Sequence, residues 1–198
     1  MEHAVLNQEQ VNRLYELFNH LNDFLRKYAI PYVATDGTLL GAIRHGGLIP
    51  WDDDIDIAVD KKDVPIIEWL ENILSSQGKY TFWKANKQKK YMKLFNGKDV
   101  FIDIFILDNG VWPQKHFKDL AFLQDELYPL KQTKYGDITI NIPNKSEQYL
   151  DRIFPDWRNT AVIYNHKSNN RFEITLDDNL RLPYLPYQEE ILKSSKIG

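Results

Sequence analysis

Cysteine is absent from all 198 residues. That removes disulfides, thiolate metal sites and a cysteine nucleophile, while leaving the compartment open. A dominant charge sign is missing too: the net charge is only −3, which argues against a broad nucleic-acid or anionic-membrane surface. No apolar run approaches the roughly 20 residues of a membrane span. The opening Met1-Glu2-His3-Ala4-Val5 has neither the basic n-region nor the apolar h-region of a secretory signal. No internal repeat and no linker-like stretch divides the chain, so residues 1–198 are expected to form a single domain. Aromatic residues are plentiful, at 13% with five Trp, and read mainly as core, with a sugar or base pocket as the second use.

Aspartate is densest at Asp52-Asp53-Asp54-Ile55-Asp56. Like charges this close raise one another's pKa unless a cation compensates them. Asp54-Ile55-Asp56-Ile57-Ala58-Val59 alternates as a strand does, with Asp54 and Asp56 on one face and Ile55, Ile57 and Val59 on the other. Two carboxylates side by side suit a hard divalent cation whose shell is completed by substrate phosphates and water. Asp52 and Asp53 taken alone read equally well as a solvated charge face. An EF-hand is excluded, because counting from Asp52 the sixth and twelfth positions are Ile57 and Asp63 rather than Gly and Glu.

The rest of the chain supplies a frame for this cluster. Glu9 to Tyr28 has helical apolar spacing (Leu14, Leu17, Phe18, Leu21, Phe24, Leu25). Tyr32-Val33-Ala34 reads as a short strand, Asp36-Gly37-Thr38 as a turn and Thr38 to Arg44 as a short helix. The Gly-Gly and Pro of His45 to Trp51 rule out regular structure there. Val64 to Ser76 reads as a second amphipathic helix, and Tyr80–Trp83 and Tyr91–Phe95 as strands joined by a polar connection over Lys84–Lys90. Val100 to Leu107 is apolar on both faces except at Asp103, which predicts a central, buried strand. A lone carboxylate there is either part of a functional cluster or paired with Arg or Lys, or caps a turn. Further on, Phe117–Leu127 is expected as a helix, Tyr135–Ile142 as a strand and Ser146–Phe154 as a helix with Ser146 at its N-cap. Beyond Trp157 the signals thin out. The prolines of Leu182 to Tyr187 predict irregular chain, and the Lys-Ser-Ser-Lys tail is expected to fray.

Assembled, these readings place Gly37-Thr38 at the opening of a helix, where backbone amides can approach a phosphate. Asp54 and Asp56 lie on one strand and Asp103 on another. Three such carboxylates can hold two Mg²⁺ ions roughly 3.5–4 Å apart, clamping the attacking and leaving oxygens of an in-line displacement at phosphorus. Catalysis of that kind is positioning and charge neutralisation.

The run from Asp36 to Asp56, with its Asp36-Gly37-Thr38-Leu39-Leu40-Gly41, Arg44-His45-Gly46-Gly47 and Ile49-Pro50-Trp51-Asp52-Asp53-Asp54-Ile55-Asp56 blocks, resembles the signature of the LicD family. Phe101-Ile102-Asp103-Ile104-Phe105 is similar to that family's third-carboxylate strand. Tyr128-Pro129-Leu130-Lys131, Ile142-Pro143-Asn144, Gln148-Tyr149-Leu150 and Pro155-Asp156-Trp157 resemble its later landmarks in order. The likeness runs from about residue 14 to 165. The chain departs from it at Phe154-Pro155, where the family often has Tyr-Gly, and between Asp103 and Tyr128, a segment that can shape the acceptor site.

The resemblance implies an α+β, nucleotidyltransferase-like mixed β-sheet flanked by helices. It implies transfer of a phospho-alcohol (phosphocholine or a polyol phosphate such as ribitol phosphate) from a CDP-activated donor to a hydroxyl of a glycan or lipid-linked glycan, with CMP leaving. By the same likeness Asp54 and Asp56 ligand Mg²⁺ or Mn²⁺, while Asp103 ligands one metal and helps deprotonate the acceptor. Gly37 and Thr38 cradle donor phosphate. Asp52, Arg44 and Lys93 complete the expected donor-binding set, Arg44 either on a phosphate or paired with Asp52. Trp51 is either a base- or sugar-stacking residue or a buried loop anchor. The expected location is the cytoplasm, or the inner face of a membrane reached through the acceptor. A plain nucleotidyltransferase and a non-catalytic nucleotide-binding domain are the rival readings.

Overall fold

Apolar residues three and four apart build the first element, helix α1 (Gln8–Lys27), whose Val11, Leu14, Phe18, Leu21 and Leu25 are all buried. Asn7 caps it: its side chain accepts from Gln10 N–H while Gln10 Oε1 accepts from Asn7 N–H, both at 2.9 Å. In the computed structural model residues 3–76, 78–84, 91–108, 122–165 and 170–188 are described. After α1 come β1 (Tyr32–Ala34), α2 (Asp36–Arg44), β2 (Ile55–Asp60), a 3₁₀ turn (Lys61–Asp63), α3 (Val64–Ser76), β3 (Tyr80–Lys84), β4 (Tyr91–Asn96) and β5 (Phe101–Leu107). The second half holds α4 (Gln124–Leu127), β6 (Lys131–Tyr135), β7 (Ile138–Ile142), α5 (Ser146–Ile153), β8 (Thr160–Asn165) and β9 (Asn170–Thr175).

The main sheet has the order β1-β2-β5-β4-β3 and is mixed: β2 runs parallel to β5, and the other pairs are antiparallel. Its β4–β5 region packs against α1, burying Ile102, Ile104, Met92 and Leu94. β5 is central, as expected, yet Phe101, Asp103 and Phe105 on its other face are only half-buried. That face is open because it carries the carboxylates. The hairpins β6–β7 and β8–β9 are separate two-stranded ribbons. No helix among the described residues is long and apolar enough to cross a membrane.

Several local expectations are corrected. Asp36-Gly37-Thr38 is the first turn of α2 itself, entered through extended Thr35, with Asp36 at φ +44°. Tyr135–Ile142 is not one strand: Gly136, at φ +57°, turns the chain between β6 and β7. Lys145 holds the N-cap position of α5, and Ser146 Oγ instead donates to Pro143 O at 2.8 Å. Of the expected helix Phe117–Leu127, only Gln124–Leu127 is helical among the described residues. Beyond Trp157, where the sequence signals thin out, Thr160–Asn165 and Asn170–Thr175 pair as the antiparallel strands β8 and β9. The Lys84–Lys90 connection lies almost wholly, and the C-terminal tail entirely, outside the described residues.

Candidate active site

Sheet register brings the acidic residues together. Asp56 on β2 stands directly opposite Asp103 on β5, and Asp103 stands opposite Lys93 on β4. Paired residues on neighbouring strands point to the same face, so Asp56, Asp103 and Lys93 form a row across adjacent strands. Asp54 lies two residues before Asp56, just ahead of the strand. Carboxylate oxygens of Asp54, Asp56 and Asp103 lie within 4.8 Å of one another, and so do those of Asp52, Asp53 and Asp54. Lys93 Nζ sits 2.7 Å from Asp103 Oδ1 and 2.9 Å from Oδ2, and 3.8 Å above the ring of Phe101. Of the alternatives open for Asp103, the structure combines two: it belongs to the cluster and is paired with a lysine.

Helix α2 holds this row from the side. Thr35 N–H donates to Asp56 O at 3.2 Å, and Asp56 N–H donates to the buried Thr38 Oγ1 at 2.7 Å. Asp56 is thus pinned at both backbone groups by the start of α2. Thr38 Oγ1 only accepts in this bond, so its hydroxyl proton and its backbone amide both remain donors that a phosphate could use. Leu39 is the first residue of the helix whose N–H reaches an acceptor, Thr35 O at 3.0 Å. The amides before it are the orphan donors of a helix N-terminus, where an anion is favoured. Asp52 provides one: its carboxylate lies so close to Gly37 that a Cβ there would overlap Oδ2.

Electrostatics show how unsatisfied the cluster is by itself. Burial, then repulsion from Asp52, Asp53 and Asp103, pushes Asp54 up to about 8. Burial and Asp53 raise Asp52 to about 7, and burial raises Asp36 to about 6. Asp56 is pushed well above the usual carboxylate range by burial and then by Asp54, Asp36 and Asp52. Burial also raises Asp103, with the Lys93 hydrogen bond opposing it. Protons therefore stand where cations are wanted. The donors are hard carboxylate oxygens in two groups of three that share Asp54, which fits Mg²⁺ or Mn²⁺. Asp36 was not foreseen as part of this cluster. Nothing short of its left-handed backbone, which aspartate tolerates better than most residues, would have marked it.

On the other side of α2 lies a cavity of about 420 Å³. It runs from Gly37 along Leu40 and Arg44 to Trp157 and the β8–β9 hairpin. Arg44 forms neither a hydrogen bond nor a salt bridge with Asp52. Its Nη1 donates to Trp157 O (2.8 Å) and Thr160 O (3.1 Å), and its Nε to His45 Nδ1 (3.3 Å). His45 Nε2 lies 3.1 Å from Leu180 O. Trp51 is 8% exposed and meets His45 edge-on at 5.7 Å, so it anchors its loop and also walls the cavity. The loop itself is tied down by Leu48 N–H on Tyr15 OH (2.9 Å), Tyr184 N–H on Leu48 O (2.8 Å) and Gly136 N–H on Gly46 O (2.7 Å).

Comparison with known proteins gives the family. Residues 29–145 match the family model described as LicD/FKTN/FKRP, nucleotidyltransferase domain. The chain belongs to this family and has its α+β nucleotidyltransferase-like fold. It is 32% identical over 209 residues to the uncharacterized protein RP689 of Rickettsia prowazekii, covering 97% of this chain and 72% of that one. It is 25% identical over 170 residues to the human ribitol 5-phosphate transferase FKRP, covering 76% of this chain but only 34% of that protein. A third likeness is to the lipopolysaccharide cholinephosphotransferase LicD of Haemophilus influenzae, at 38% identity over 63 residues, 32% of this chain and 23% of that one. Among solved structures, the lincomycin-bound lincosamide antibiotic adenylyltransferase LnuA aligns with a TM-score of 0.46 at 17% identity, over 72% of this chain and 86% of that one.

Proposed function

We propose that this chain is the catalytic domain of a divalent-metal-dependent transferase. It moves a phospho-alcohol, phosphocholine or a polyol phosphate, from a CDP-activated donor to a hydroxyl of a glycan or lipid-linked glycan and releases CMP. The observation that carries the reading is the row Asp56–Asp103–Lys93 with Asp54 beside it, set against the amides that open α2. Membership in a family with FKRP and LicD, whose names state ribitol 5-phosphate and choline phosphate transfer, supports the choice of transferred group.

Asp54, Asp56 and Asp103 would hold Mg²⁺ or Mn²⁺. A bound cation of this kind neutralises diphosphate charge and acidifies a nearby hydroxyl. The α2 amides at Gly37 and Thr38 orient the donor phosphates. Thr35 and Thr38 keep Asp56 in register through its backbone. Asp103 takes the proton of the acceptor hydroxyl, and Lys93 positions that carboxylate and opposes the rise that burial imposes on it. The new bond joins the acceptor oxygen to the β-phosphorus. The bond that breaks is the one to the bridging oxygen, whose electrons leave with CMP.

The test is direct. With Mg²⁺ present, one of CDP-choline, CDP-ribitol and CDP-glycerol should raise the thermal midpoint, since a ligand of the native state must do so. With a glycan acceptor that donor should yield CMP and a phospho-alcohol product. Pyrophosphate release from a nucleoside triphosphate, with none of the three CDP-alcohols bound or consumed, would favour plain nucleotidyl transfer.

A further inference from the structure

We propose that the cavity between α2 and the β8–β9 hairpin receives the nucleoside of the donor, with the base against Trp51, Trp157 and Arg44 and the ribose toward Gly37. The assignment rests on the reading above that the donor is a cytidine diphosphate derivative. It follows first from continuity. The cavity begins at Gly37 and Asp52, beside the α2 amides, so a nucleotide whose phosphates lie at the start of α2 has this cavity as the room next to it.

Lining chemistry points the same way. Trp51, Phe154 and Trp157 give flat aromatic surface, and Leu40, Ile49 and Val162 give apolar surface. A pocket of this size, mostly apolar with a few placed polar groups, is what a small planar ligand requires. Arg44 is the placed polar group. Its Nη1 and Nε are spent on Trp157 O, Thr160 O and His45 Nδ1, which fix the plane of the guanidinium, while Nη2 has no hydrogen-bond partner among the described residues. A fixed donor beside stacking surfaces selects a ring with an acceptor edge. Cytosine offers O2 and N3 as neighbouring acceptors, where uracil turns an N–H at N3.

In-line geometry adds a constraint. Attacking and leaving oxygens stand on opposite sides of phosphorus. With the leaving CMP on the hairpin side of α2, the acceptor enters over Asp103 and Lys93, the half-open face of the sheet. Phe154, Trp157, Val162 and Arg171, which close the cavity, lie beyond the residues 29–145 that match the family model.

Val162 is 40% exposed on β8, so a large β-favouring residue can be placed there without opening the core. Val162→Trp, with the smaller filling Val162→Tyr beside it, is compared with the parent by calorimetry with CMP and with UMP in Mn²⁺. Mn²⁺ affinity without nucleotide is measured by electron paramagnetic resonance. The expected result is that CMP affinity falls at least about tenfold in Val162→Trp, equivalent to ~1.4 kcal/mol, and less in Val162→Tyr. Mn²⁺ affinity and the circular dichroism spectrum should not change. In the parent, CMP should bind more tightly than UMP. CMP affinity unchanged in both variants overturns the assignment, as does unchanged CMP affinity with a raised KM for the glycan, which would make the cavity the acceptor's. A parent that binds no cytidine nucleotide at all would instead sink the donor reading itself.

Discussion

On the sheet side of α2 stand Asp54, Asp56 and Asp103, with Asp52 and Asp36 close by. On the hairpin side stand Trp51, Trp157, Arg44 and Arg171. The first wall is incomplete by itself: its carboxylates are pushed upward by burial and by one another, and Lys93 is the one cation bound to a carboxylate of the row among the described residues. The second is held in place by protein partners, Arg44 Nη1 by backbone carbonyls and His45 by Leu180 O. One wall is built to gain stability from a cation, the other is preformed. The two should therefore answer differently to mutation, metal and pH.

The largest expected effect is on the acidic wall. Asp54→Asn or Asp56→Asn should lower transfer by about a thousandfold or more, ~4 kcal/mol in the barrier. The metal-free midpoint should hold or rise, because one member of a repelling set has gone. Activity within tenfold of the parent in either variant, measured at saturating Mg²⁺, would refute the assignment of the cluster. No such gain in metal-free stability is expected from any change on the hairpin side.

Next comes the response to the cation. The carboxylates' folded values are raised, to about 6 for Asp36, 7 for Asp52 and 8 for Asp54, from 3.8. The native state holds protons that the unfolded chain releases. Their contribution to stability is therefore fully present below about pH 4 and is lost as pH rises through 6 to 8. A cation replaces those protons. At a hundredfold excess over its Kd, Mg²⁺ should add ~2.7 kcal/mol, a rise in midpoint of roughly 5–10 °C for a chain of this size. The rise should be larger at pH 8 than at pH 5, because fewer protons then compete. A metal-induced shift that shrinks as pH rises from 5 to 8 would mean that the carboxylates are not the ligands.

Gly37→Ala probes the seam between the walls. Alanine favours a helix over glycine by up to ~1 kcal/mol, but here its Cβ meets the Asp52 carboxylate. Displacing that group should cost about 1–3 kcal/mol, so the net effect on urea unfolding should be a modest loss. Gly46→Ala is a useful contrast. A Cβ there meets nothing, and only the φ of +75° is strained. Equal stability of Gly37→Ala and the parent would show that Asp52 moves aside freely.

The acidic wall was largely legible in the sequence and the hairpin wall was not. Asp54 and Asp56 alternate with Ile55, Ile57 and Val59, and Asp103 interrupts an otherwise apolar run, so periodicity exposes them. Pairing of Asp103 with an Arg or Lys stood only as one alternative and Lys93 was expected on the donor phosphates, because the actual pair depends on the antiparallel register of β4 and β5. Strands β6 and β8–β9 escaped for a different reason. Lys131-Gln132-Thr133-Lys134-Tyr135 has one buried residue, and on β8 Thr160 is half-buried and Val162 exposed, so little apolar alternation survives. Their partners are set by the turn at Gly136 and by tertiary contacts. Trp157 and Arg44 meet across 113 residues of sequence, which no local pattern can announce.

The smallest effect expected at neutral pH is at His45, and its sign is opposite to that of the carboxylates. Burial first, then the neighbouring Arg44, lowers its folded value to about 3 from 6.5. Arg44 Nε donates to Nδ1, which requires the neutral ring, and Nε2 then donates to Leu180 O. Below pH 6.5 the unfolded chain takes up a proton that the native state refuses. The stability associated with His45 is therefore complete above about 6.5 and is lost as pH falls toward 3. His45→Gln keeps a neutral acceptor and donor and should cost only about 0.5–1.5 kcal/mol at pH 7, the scale of one imperfect hydrogen bond. Between pH 6.5 and 4.5, however, the variant should lose stability less steeply than the parent in urea melts. Parallel pH profiles for the two proteins would place the acid sensitivity elsewhere, and the two walls would then no longer titrate in opposite directions.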